Sequence, residues 1–173
     1  MTSTVFRNIF RFIGFVLIQA LVLQRIILGE GWLDYPPVFL YPLFIVLLPL
    51  RTPHALLVLI GFVCGISVDL FYSSYGLHAA ASAFTAYLRP TVLRFLEPRG
   101  GYNINHSPTK YRYGAAWFLQ YCSILMVLHL FFFFSVDAFT FVFLGKIALR
   151  TVTSFAISML FIILYIYSFN PKE

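Results

Sequence analysis

Long apolar runs separated by short polar breaks dominate this chain. A helix needs about 20 residues to cross the roughly 30 Å hydrocarbon layer of a membrane. The pattern predicts six such segments, at about 9–28, 36–50, 54–72, 76–96, 115–136 and 144–168. The second segment is short, opens with Pro36-Pro37 and carries Pro42 and Pro49. Proline removes a backbone donor and clashes with the preceding turn, so this segment is expected to be broken, tilted or partly extended. Pro53 suits the start of the third helix. The fold class expected is an all-α integral membrane protein of six transmembrane helices, the second short or broken, in a single polytopic domain over 1–173. The stretch "DAFTFVFLGK" alternates Phe139, Phe141 and Phe143 and reads as an extended or interfacial lead-in to the last helix.

The polar breaks carry the charge, and the charge sets orientation. Arg7 and Arg11 precede the first apolar core, as in a signal sequence. No small-x-small cleavage site follows, so the segment reads as a retained helix. With six crossings and a cytoplasmic N-terminus, Arg7, Arg11, Arg51, Arg94, Arg99, Lys110, Arg112 and Lys172 fall on the cytoplasmic side. Arg25 and Lys146 fall opposite, with Glu30, Asp34 and Asp137. That split obeys the positive-inside rule, whereas a re-entrant second segment would put the N-terminal arginines and the basic 97–113 loop on opposite faces. Both termini are therefore expected in the cytoplasm. Trp32, Tyr35, Tyr72 and Tyr75 fall at the outer boundary, and Tyr111, Tyr113, Trp117, Tyr165 and Tyr167 at the inner one, as amphipathic rings prefer. The 97–113 loop reads as a solvated segment that fixes topology, or as a docking surface for a cytoplasmic partner or anionic lipid.

Composition agrees with the pattern: 61% of the residues are hydrophobic, 10% are charged, and the mean hydropathy is +0.88. Soluble domains are about 45–50% apolar and about 25% charged. The net charge of +6 reports membrane orientation rather than a nucleic-acid partner. Cys64 and Cys122 lie within apolar runs and read as packing residues. His54, His78, His106 and His129 show no metal-ligand spacing. No His-Glu-x-x-His, Gly-x-Ser-x-Gly, phosphate loop or dinucleotide fingerprint appears, so neither catalytic residues nor a cofactor are nominated.

Polar residues inside spans are the candidate chemistry. Gly61, Gly65 and Asp69 recur every four residues and share a helix face. Small residues let helices approach closely in lipid, and the next segment, "GLHAAASAFTAY", is small-rich too. The two are expected to form a tight antiparallel hairpin. An aspartate in a span costs at least about 2.5 kcal/mol at the centre, so it seeks a partner or a cavity. His78, His129, Lys146 and Arg150 lie at similar depth, and Arg150, the deepest, is the expected partner of Asp69. The same pairing could serve helix packing, a proton, ion or substrate path, or a partner-binding patch. Packing is the reading adopted. Arg89, before Pro90, is expected to snorkel to the cytoplasmic interface or to bind a lipid headgroup. Gln19 and Gln24 can hydrogen-bond across helices. "LHLFFFFS" at 128–135 is expected to face lipid, or a partner helix.

The stretch "GFVCGISVDLFYSSYGLHAAASAFTAYLRP" resembles the central segment of the MreD family of bacterial rod shape-determining membrane proteins. In that family glycines and an aspartate close one span. A short polar link follows, then Gly-Leu-His or Gly-Leu-Asn and a small-rich helix ending in a basic residue. The matching positions are Gly61, Gly65, Asp69, Gly76, Leu77, His78 and Arg89, and Arg150 in the last span also looks family-like. The "LRP" ending and the long basic loop look most like Bacteroidetes-type members. The resemblance implies a non-enzymatic scaffold of the cell-wall elongation (Rod) complex in the bacterial inner membrane. It implies binding to MreC and a role in regulating peptidoglycan synthesis and rod shape. The indirect partners it implies are MreB, RodA and a penicillin-binding transpeptidase. Membrane lipids and a second copy of this chain are further candidate partners. The family's fold is thought similar to the substrate-binding components of energy-coupling-factor vitamin transporters, which makes a small-molecule-binding transporter subunit the alternative. The inner half of the first helix, crowded by Phe6, Phe10, Phe12, Phe15 and Arg11, leaves little groove for an energising partner.

Overall fold

A computed structural model describes residues 2–25, 37–74, 76–104, 106–139 and 142–169. The expectations for Glu30, Trp32, Asp34, Tyr35, Pro36, Tyr75, Phe141 and Lys172 lie outside these residues. The architecture is all-helical, with no strand among the described residues. α1 spans Thr2–Leu17 and continues through a π turn, Ile18–Val22, and a 3-10 turn, Leu23–Arg25. α2 is Pro42–Leu47, α3 His54–Tyr72, α4 Leu77–Phe95, α5 Lys110–Tyr113, α6 Ala115–Ala138 and α7 Leu144–Phe169.

Four of these are long and apolar enough to cross a membrane: Phe6–Arg25, α3, α6 and α7. This is the composition of a multi-pass membrane protein. Their outward faces are apolar, with Phe6, Phe10, Leu59, Leu70, Val152 and Leu160 all exposed. α4 is as long as α3, at 19 residues. Ser82, Thr85, Arg89 and Arg94 make it more polar, and its alanines replace larger apolar side chains. It lies between α3, its closest neighbour, and α6. The small side chains pack inward, and the helix runs on through Pro90 to Phe95.

The second predicted segment is not a helix of spanning length. Only Pro42–Leu47 is helical, and Pro42 occupies the first turn, where its missing N–H costs nothing. Val38 through Leu48 are all buried. Val38 lies against Gln19, whereas Leu50 N–H donates to the carbonyl of His106 in the basic loop. Residues 38–50 therefore run from one end of the bundle to the other. Extended backbone rises about 3.3 Å per residue against 1.5 Å in a helix, so a short segment covers the depth by being mostly unwound.

The two ends differ in charge. The Asp69 end holds Arg25, the α3–α4 link, Asp137, Lys146 and Arg150. The Arg51 end holds Arg51, Arg94, Arg99, Lys110 and Arg112, with Glu97 as its acid among the described residues. The basic loop is more than a solvated connector. Tyr102 donates to Leu93 O at 2.8 Å and Trp117 Nε1 to Leu96 O at 2.8 Å. Ser107, Pro108 and Thr109 are buried, and Lys110 Nζ sits 3.7 Å from the centre of the Tyr167 ring. Burial pushes the Tyr102 hydroxyl up to about 12. Of the 128–135 run, expected on the lipid face, His129, Leu130, Phe133 and Phe134 are buried. Phe133 and Phe134 pack edge-on to Phe39 of the crossing segment.

Candidate functional site

The α3–α4 hairpin is built on two glycines and one carboxylate. A Cβ on Gly61 would lie 2.8 Å from Ala86 Cβ and 2.9 Å from Ser82 O. A Cβ on Gly65 would meet the backbone of His78 and Ala79, with the Ala79 nitrogen at 2.5 Å. The helices touch backbone to backbone at this point, which only glycine allows. The link turns through Ser73 at φ 51° and Gly76 at φ 88°. Gly76 is the N-cap of α4 and has no side chain to satisfy the orphan N–H groups of the first turn.

Asp69 supplies that cap from the neighbouring helix. Its Oδ1 accepts from His78 N–H at 3.1 Å and its Oδ2 from Ala79 N–H at 2.9 Å. Oδ1 also accepts from Ser74 Oγ at 2.5 Å and His78 Nδ1 at 2.9 Å. A carboxylate at a helix N-terminus is favoured by the helix dipole as well as by these bonds. The His78 ring is enclosed by Tyr72, Phe133, Tyr41 and Phe39, at centroid distances of 4.8, 4.9, 5.7 and 6.0 Å. Asp69 is 4% exposed and His78 2%.

The expected partner of Asp69 is corrected. Arg150 instead bonds Asp137 Oδ2 at 3.2 Å, in a pair on α6 and α7 that is more than a third exposed. The reason is that the α4 amides and His78 already fill the Asp69 oxygens. Arg89 is corrected too. It neither snorkels nor reaches a lipid surface, being 1% exposed. Its Nε donates to Tyr121 Oη at 2.8 Å, its Nη2 donates to Leu48 O, and Tyr121 in turn donates to Val46 O at 3.2 Å. The last carbonyls of a helix have no partner within it, so Arg89 and Tyr121 finish the C-terminal end of α2.

The other end of the crossing segment is held in the same manner. Gln19 Nε2 donates to Val38 O at 2.8 Å and to Tyr72 Oη at 2.8 Å, while its Oε1 accepts from Leu40 N–H at 2.8 Å. Phe39 N–H donates to Ser158 Oγ at 2.9 Å. Tyr41 Oη lies 2.8 Å from His129 Nε2, and His129 Nδ1 lies 2.8 Å from Thr85 Oγ1. The Thr85 proton goes to Ala81 O at 2.7 Å. His129 therefore donates from Nδ1 and accepts from Tyr41 at Nε2. Side chains from the π turn after α1 and from α4, α6 and α7 thus complete a backbone that has too little helix to complete itself.

Sequence reasoning located Gly61, Gly65, Asp69, Gly76 and His78 in one hairpin, and the structure brings these five together. Arg89 and Arg150 stand apart from them. Gln24, expected to bond across helices, donates to Phe71 O at 3.2 Å. Tyr41, Tyr121, His129 and Ser158 were not singled out as parts of one network. Their signal was polar residues on helices around a proline-broken segment. Among the described residues no three His, Cys, Asp or Glu side chains gather in a metal-binding group. No family model, curated protein or solved structure matches this chain.

Proposed function

We propose that the protein is a non-enzymatic membrane scaffold of the MreD kind. In this reading it holds an MreC-like single-span protein in the bacterial inner membrane and so helps regulate peptidoglycan synthesis. It is a reading without a catalytic residue or a cofactor. One observation carries it. An ionisable side chain inside a membrane bundle is by default an ion, proton or substrate station. Here each buried Asp, His and Arg among the described residues is bonded to a group that the fold itself must satisfy. Asp69 and His78 close the hairpin, His129 ties Tyr41 to α4, and Arg89 ends α2. The hairpin residues are also those that carry the resemblance to MreD.

The same reading gives six crossings with residues 38–50 as the unwound one, and both termini in the cytoplasm. The basic Arg51 end then faces the cytoplasm, as the positive-inside rule requires. MreB, RodA and the penicillin-binding transpeptidase are indirect partners, reached through the MreC-like protein. Co-expression with the MreC-like protein of the same organism, followed by detergent purification on a tag carried by this chain, tests the proposal. Recovery of the partner near one-to-one is expected. Its absence, in conditions that preserve an established MreC–MreD pair, overturns the reading.

A further inference from the structure

A groove of about 700 Å³ opens on the outside of the bundle between α1 and α3, floored by the crossing segment. Its size falls within the roughly 300–1,000 Å³ of ligand pockets. The walls are apolar along their length: Phe12 of α1, Phe44 and Leu48 of the crossing segment, and Leu59, Ile60 and Val63 of α3. Its polar groups are gathered at the Arg51 end, where Asn8, Arg51 and Thr52 form the mouth. Thr52 Oγ1 is used on Pro49 O at 2.8 Å. Arg51 is exposed and has no hydrogen bond or ion pair among the described residues.

We infer that this groove takes one acyl chain of an anionic phospholipid, with the lipid phosphate at Arg51. An apolar trough ending in an exposed arginine matches an amphiphile with a negative head. The mouth lies at the end where Arg99, Lys110 and Arg112 are also found, which is where an anionic lipid surface is attracted. A second copy of this chain would bring the same cations against them. The inference goes beyond the scaffold proposal and does not depend on the partner's identity.

Native mass spectrometry of the full chain, released from micelles doped equally with dioleoyl phosphatidylglycerol and dioleoyl phosphatidylcholine, tests it. A single phosphatidylglycerol adduct is expected on the wild type. Arg51→Gln should cut its preference over phosphatidylcholine about five-fold, the worth of one arginine near such a headgroup. Arg94→Gln, which removes the same charge at an exposed position outside the groove, should leave that preference unchanged. Leu59→Trp, which fills the groove from a lipid-facing position, should remove the lipid adduct while the thermal midpoint holds. Equal loss with Arg51→Gln and Arg94→Gln overturns the inference, as does equal binding of the two lipids. So does a lipid adduct that survives Leu59→Trp, or a dimer that Leu59→Trp dissociates.

Discussion

Replacing Asp69 with asparagine alters one atom and discriminates between a cap and a mere space-filler. The carboxylate has an oxygen facing each of two N–H groups, those of His78 and Ala79. An amide has one oxygen, so in either flip its NH2 faces a backbone donor. One charge-assisted bond is lost and one buried N–H is orphaned, at about 1.5–3 kcal/mol. The lost interaction with the α4 dipole adds about 0.3–1 kcal/mol. Asp69→Asn should therefore destabilise the protein by about 2–4 kcal/mol, and Asp69→Ala, which removes both acceptors, by about 3–6 kcal/mol. Ser74→Ala removes one neutral donor to the same oxygen and should cost about 1 kcal/mol. The assay is reversible unfolding of the purified chain in mixed micelles by titration with a denaturing detergent. The order Ala, Asn, then Ser74→Ala is expected. An Asp69→Asn protein within about 0.5 kcal/mol of wild type would refute the cap.

Three further outcomes follow from the packing, the α2 terminus and the loop. Gly65→Ala drives a methyl into the backbone of α4 and should cost at least about 1–3 kcal/mol in the same assay, whereas Gly14→Ala, with nothing within 4 Å of its Cβ, should be neutral or slightly stabilising. Arg89→Leu leaves Leu48 O and Tyr121 Oη without their donor and should cost about 2–5 kcal/mol; a folded, fully stable Arg89→Leu protein would refute its role at the end of α2. The folded Tyr102 hydroxyl titrates near 12 against about 10 in an unfolded chain. The unfolded state releases this proton first as pH rises, so the stability held below about pH 10 is lost between about 10 and 12. The difference in tyrosinate absorbance between wild type and Tyr102→Phe should show this late titration.

The sequence carried the fold unevenly, for physical reasons. Spans 54–72, 115–136 and 144–168 were legible within a few residues because long apolar runs have one stable form in lipid. The hairpin was legible because glycines at helical spacing followed by a small-rich helix leave one efficient packing. The partners of Asp69 and Arg89 were not legible. Depth along a helix can be read from one sequence, but rotation about the helix axis cannot, and rotation decides which groups meet. Arg150 lies at the depth of Asp69, but the backbone amides nine and ten residues further on reach the carboxylate first. The cytoplasmic interface is one source of polar groups for Arg89. A broken segment inside the bundle is another source, and the prolines had already marked it.

Intramembrane side chains complete the backbone of residues 38–50, and hydrogen exchange at that backbone tests this directly. Gln19→Leu keeps the bulk of the side chain and removes the partners of Val38 O and Leu40 N–H. In lipid nanodiscs, amides in peptides covering 37–48 should lose about tenfold in protection, the equivalent of one bond worth about 1–1.5 kcal/mol, while the α3–α4 amides stay as protected as in wild type. Unchanged protection over 37–48 in a folded Gln19→Leu protein would show that this backbone does not depend on the Gln19 side chain.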